Sequence, residues 1–172
     1  MHFPVMVITE TEPDDYYSEI QDLLRPYREG DDDDPDVERK GYKYDYMSCG
    51  PGRWDLLLNG RAGCPLKDYA MIRNTDTEED LQRKFPECYR YWLEEKEKNG
   101  LKDYSSAMDY FKKRWCFSLV TPDGEWKEPG KLAWWLGTFI KYEPDIDWVD
   151  EFGKIIDSYP GDYWITLVDC HD

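Results

Sequence analysis

"DYWITLVDCH", residues 162–171, is rich in β-branched and aromatic residues and ends on a histidine beside an aspartate and a cysteine. It reads as the last strand of a sheet. At the other end of the sequence, "HFPVMVIT", residues 2–9, is a short apolar run with the character of a buried strand. Thr11 then offers an N-cap with Pro13 in the first turn, and Tyr17, Ile20, Leu23, Leu24 and Tyr27 follow at helical spacing. The pattern predicts a helix over 12–25, packed on the first strand and ended by Pro26 and Gly30. Toward the end of the chain, "CFSLV" (116–120) and "LAWWLGTFI" (132–140) read as two strands joined by the loop "TPDGEWKEPGK". Ile146, Val149, Phe152, Ile155, Ile156 and Tyr159 mark an amphipathic helix, closed by Pro160-Gly161.

With residues 30–115 set aside, the order is strand, helix, strand, strand, helix, strand. That is an α+β, ferredoxin-like plan with a large, mostly helical insertion. The expectation is a single domain over 1–172, with its core in 1–29 and 116–172 and the insertion in 30–115. In such a plan the first and last strands are antiparallel neighbours, which places His2 near His171. The chain has no other histidine.

Inside the insertion, "VERKGYKYDYM" puts Tyr42, Tyr44 and Tyr46 on one face if extended. "RWDLLLN" (53–59) follows a Gly-Pro-Gly turn and reads as a return strand or a short helix. Thr77 with Asp80 resembles a capping box, and Leu81, Phe85, Tyr89, Trp92 and Leu93 form an apolar stripe. Pro86 either kinks this helix or begins a second one; Gly100 closes it. Asp103 caps a further helix that buries Ala107, Tyr110, Phe111 and Trp115.

Eight Trp, fourteen Tyr and six Phe argue for a folded core, despite a net charge of -16 and a mean hydropathy of -0.87. Five scattered cysteines without a C-x-x-C pair, and the lack of a signal-like or membrane-length apolar run, predict free thiols and a cytoplasmic location with no membrane partner. The charge is uneven. Residues 38–115 hold 16 of the 22 Lys and Arg against 14 acids, and the remainder holds 6 against 24. An anionic ligand is therefore expected in the middle of the chain, and the overall charge disfavours long nucleic acid.

Three constellations bear on chemistry, and two of them could carry it. His2 and His171 on adjacent strand ends offer general acid and base groups for a phosphoester, or metal ligands with Asp169 or Cys170. The alternative is two histidines that a sheet edge tolerates, and Pro4 stands two places after His2, where a two-histidine phosphoesterase uses a hydroxyl. Second, Tyr44, Tyr46, Arg53, Trp54, Arg61 and Lys67 combine aromatic faces with cations, the pattern that holds bases and phosphates. The competing reading buries the rings and pairs Arg53 with Asp45 or Asp55. Third, "EGDDDDPD" lacks the spacing of a calcium loop and reads as a solvated acidic connector, so neither a metal nor a cofactor is expected. Trp134 and Trp135, adjacent on a strand, point to opposite faces, which favours a homo-oligomer.

"HF" at the start, "YDY" then "GRW" in the middle, "DGEW" followed by "WW", and a closing "VDCH" resemble a family of phage-encoded proteins that brings no activity with it. Pro51 interrupts what would be a Gly-Gly-Arg-Trp turn in that family. The resemblance implies a phage accessory protein in the bacterial cytoplasm, and small acidic accessory proteins of phages often counter a host defence. On that footing, the expected function is binding and sequestration, without chemistry, of a small nucleotide-type immune signal such as a cyclic nucleotide or ADP-ribose derivative. An acidic DNA mimic that blocks a host DNA-binding enzyme is one alternative. A phosphoesterase using His2 and His171 is the other.

Overall fold

The computed structural model describes residues 2–30, 35–50, 54, 58–100, 106–115, 118–128 and 146–171, as a mixture of helices and strands with a mixed sheet. They group into two compact units, one from the segments 1–69, 118–127 and 160–172, the other from 70–117 and 128–159.

The first unit is built on a sheet. Strand β1 (His2–Thr9) and strand β6 (Trp164–His171) pair antiparallel over all eight residues of each. Their middle residues are buried on both faces, which suits the near-continuous apolar runs in the two sequences. The outer side of β6 is shared by two short strands. β2 (Tyr46–Cys49) covers its C-terminal half, and β3 (Gly63–Pro65) covers its N-terminal half. Between them the Leu167 carbonyl accepts from Gly50 N–H and Leu167 N–H donates to the Ala62 carbonyl, so the ladder along β6 continues from β2 to β3.

On its other side β1 pairs in parallel with β4 (Ser118–Val120), which forms a hairpin with β5 (Trp126–Lys127). The described order β2-β6-β1-β4-β5 differs from the expected plan in two respects. Ser118–Val120 supply the parallel neighbour of β1, and the chain then reverses at once: Thr121 N–H donates to the Glu125 carbonyl and Gly124, at φ +74°, donates back to Thr121. Residues 46–49 and 63–65, inside the expected insertion, join the central sheet. "LAWWLGTFI", with Trp134 and Trp135, lies outside the described residues.

Helix α1 (Tyr16–Leu24) starts later than Thr11, because the Asp15 carboxylate caps it by accepting from Tyr17 and Ser18 N–H. Ile20 and Leu24 pack on Val5, Val7, Val120, Val168 and Cys170, and Tyr27 completes this layer. The Tyr27 hydroxyl donates to the Gly124 carbonyl and accepts from Trp126 N–H, tying the end of α1 to the hairpin.

The second unit is helical. Thr77 and Asp80 form a reciprocal capping box on α2 (Glu78–Lys84). Pro86 occupies the first turn of a separate helix, α3 (Pro86–Asn99), which Gly100 ends in the left-handed conformation. Leu81, Phe85, Tyr89 and Trp92 are buried, whereas Leu93 turns outward. Phe111 of α4 (Ala107–Trp115) sits against the rings of Phe85, Tyr89 and Tyr110. Asp103 lies outside the described residues. Helix α5 (Ile146–Asp157) buries Trp148, Val149, Phe152 and Ile156.

Candidate functional site

Because β1 and β6 pair end to end, His2 stands directly opposite His171. Opposed residues of an antiparallel pair project to one face, and the two imidazoles meet there with ring centres 4.8 Å apart and planes at 68°. Asp169, two residues before His171, shares that face. Both of its carboxylate oxygens lie 3.1 Å from His2 Nδ1, and Trp54 Nε1–H donates to Oδ1 at 2.8 Å. His171 Nδ1 lies 2.8 Å from Asp45 Oδ1. Asp45 occupies a bend just before β2, fixed by its own N–H donating to the His171 carbonyl at 2.9 Å and by Arg28 Nε–H donating to the Asp45 carbonyl. The bond to His171 holds the Asp45 carboxyl below the usual carboxylate range.

An ionised carboxylate only accepts, so each Nδ1 carries the proton of its bond. That leaves each Nε2 as the working atom, a lone pair in the neutral ring and an N–H donor in the cation. Neither Nε2 has a partner among the described residues. The His2 and His171 side chains are 30% and 39% exposed, so a solute reaches them. Cys170 does not take part: it points to the other face, is fully buried, and burial pushes its thiol far up.

Of the aromatic and basic residues singled out from sequence, the described ones do not converge on one pocket. Tyr44 is 1% exposed and packs in the core under α1, with no face for a ligand. The bend at Asp45 breaks the alternation expected of Tyr42, Tyr44 and Tyr46. Tyr46, 57% exposed, stands opposite His171 on β2 and so adjoins the histidine pair. Trp54 adjoins it too, through its indole N–H. Arg61 is exposed, with its Nε–H on the Leu58 carbonyl, and flanks Ala62, which pairs with Leu167. That places its backbone about 13 Å along β6 from His171 at the rise of a strand. Lys67 is exposed beyond β3, where its N–H donates to the Gly161 carbonyl. It belongs to the far end of β6, about 20 Å or more from the pair. Arg53, Asp55 and the run Asp31 to Asp34 lie outside the described residues. Asp45 is the member that the pattern missed as a histidine partner.

No family model matches the chain, and neither a curated protein nor a solved structure does. Among the described residues, no group of three or more His, Cys, Asp and Glu is set to hold a metal ion, and no helix is long and apolar enough to cross a membrane.

Proposed function

We propose that the protein transforms a small nucleotide-type phosphoester by general acid–base catalysis at His2 and His171. The observation that carries this reading is the pair itself: two touching imidazoles, each with Nδ1 on its own carboxylate and with Nε2 unengaged among the described residues. One neutral imidazole takes a proton from the attacking water or hydroxyl as the new P–O bond forms. The other, as imidazolium, gives its proton to the leaving oxygen as the old P–O bond breaks. Asp169 and Asp45 hold the rings in the required tautomer and offset the imidazolium charge. Such proton transfer contributes about 10²–10⁴ in rate. Exposed Tyr46 beside His171 supplies an aromatic face for a base, which favours nucleotides within the phosphoesters.

The test is direct. The full chain is incubated with a panel of linear and cyclic nucleotides and ADP-ribose isomers, and products are separated chromatographically. His2→Gln and His171→Gln each abolish turnover of the active compound while the fold, followed by circular dichroism, persists. Intact release of every bound compound on heating overturns catalysis and leaves sequestration, the reading that exposed Tyr46 also favours. In the phage setting that the sequence resemblance implies, either outcome depletes a nucleotide signal.

A further inference from the structure

We propose that His2 and His171 also form a two-histidine chelate for one borderline divalent transition-metal ion: Cu²⁺, Ni²⁺ or Zn²⁺. The inference uses the residues of the preceding reading but not its reaction, since an ion held there would occupy both Nε2 atoms.

Geometry is the first argument. With a metal–nitrogen bond of about 2.0–2.1 Å, each ring centre lies about 3.2 Å from a shared ion. Ring centres then stand about 4.5 Å apart for a right-angled pair of bonds and about 5.2 Å apart for a tetrahedral one. The observed 4.8 Å falls between the two. The cross-strand register fixes this spacing, because both Cα atoms belong to one eight-residue ladder.

The outer layer around the two rings also suits a metal. A metal-binding histidine characteristically gives its other N–H to a carboxylate, which sets the tautomer and makes the free nitrogen more basic. Both histidines have that backing, His2 from Asp169 and His171 from Asp45. Asp169 is in turn fixed by the Trp54 indole. Two carboxylates also neutralise the charge of a divalent ion once the imidazoles bind as neutral ligands.

The donor set gives the selectivity. Two imidazole nitrogens suit copper, nickel and zinc, whereas Mg²⁺ and Ca²⁺ require oxygens. Partial exposure of both rings leaves the remaining positions to water or to a phosphate oxygen.

The test is calorimetry on tag-free, metal-stripped full chain with CuCl₂, NiCl₂, ZnCl₂ and, as control, MgCl₂. One ion per chain is expected, Cu²⁺ tightest and Mg²⁺ silent. His2→Ala and His171→Ala each weaken binding by at least about tenfold, and Asp45→Asn and Asp169→Asn by about 10–100-fold. Should a variant unfold, the wild-type imidazole ¹⁵N spectrum decides: with only two histidines in the chain, Zn²⁺ must move both Nε2 resonances. Absence of binding, or binding that leaves those resonances in place, overturns the chelate. Turnover assayed in excess chelator reports separately on the acid–base reading, so either can fail alone.

Discussion

Trp54 shows how much one hydrogen bond can redefine a residue. Its position beside a glycine turn suggested a stacking platform, yet the indole spends its single donor on Asp169. Asp169 is buried and also receives His2, so losing a charge-assisted donor there costs about 1.5–3 kcal/mol. Trp54→Phe keeps an aromatic ring while removing the N–H together with part of the indole. Its unfolding free energy is expected to fall by at least about that amount, read as a lower denaturation midpoint with an unchanged m-value. A midpoint equal to wild type would mean that the bond contributes nothing. The histidine partners differ in how they could be found. Asp169 and His171 are two apart on an evident strand, so period-two alternation already places them on one face. Asp45 is 126 residues from His171 and reaches it through a bend that interrupts a promising tyrosine alternation. No local pattern encodes that meeting.

Among the elements, helices were easier to read than strand order for the same physical reason. Caps are local: the Thr77–Asp80 box, Pro86 and Gly100 each act within a few residues of the end they define. The misplaced start at α1 reflects a contest between nearby caps that Asp15 wins with two backbone donors. Strand pairing is non-local. The β1–β6 neighbourhood followed from topology, but the parallel pairing of β4 with β1, and β3 docking on β6, depend on contacts between distant segments. β3 is also where tolerance is lowest. A Cβ on Gly63 would lie 2.3 Å from Trp164 Nε1 and 2.7 Å from the Ile165 carbonyl oxygen, and the latter is backbone that cannot swing away. Gly63→Ala is therefore expected to cost about 1–3 kcal/mol through overpacking. Amide exchange should show the loss first at Gly63, Cys64 and the β6 residues that pair with β3. Unchanged protection there would mean that β3 accommodates the methyl.

For the whole molecule, a net charge of -16 makes the pH dependence of stability a balance between general self-repulsion and particular pairs. The pairs have a definite sign. In the helical unit, Arg73 donates to both oxygens of Asp157 at 2.7 Å, and that hydrogen bonding, with the guanidinium charge, holds the Asp157 carboxyl below its ordinary value. A carboxyl depressed in the folded state stabilises fully above its unfolded value, about 3.9, and loses that contribution as the pH falls through the lower folded one. Both side chains are substantially exposed, so water and salt limit the pair to at most about 1 kcal/mol. Arg73→Gln should thus be less stable than wild type by up to that amount at pH 7. The gap should begin to close near pH 4 and vanish by about pH 2, whatever the shared background of repulsion does to both proteins. Paired urea titrations across this range measure the difference directly. A gap that stays constant from pH 7 to 2 would assign the effect of the substitution to lost packing of the arginine stem rather than to the ion pair.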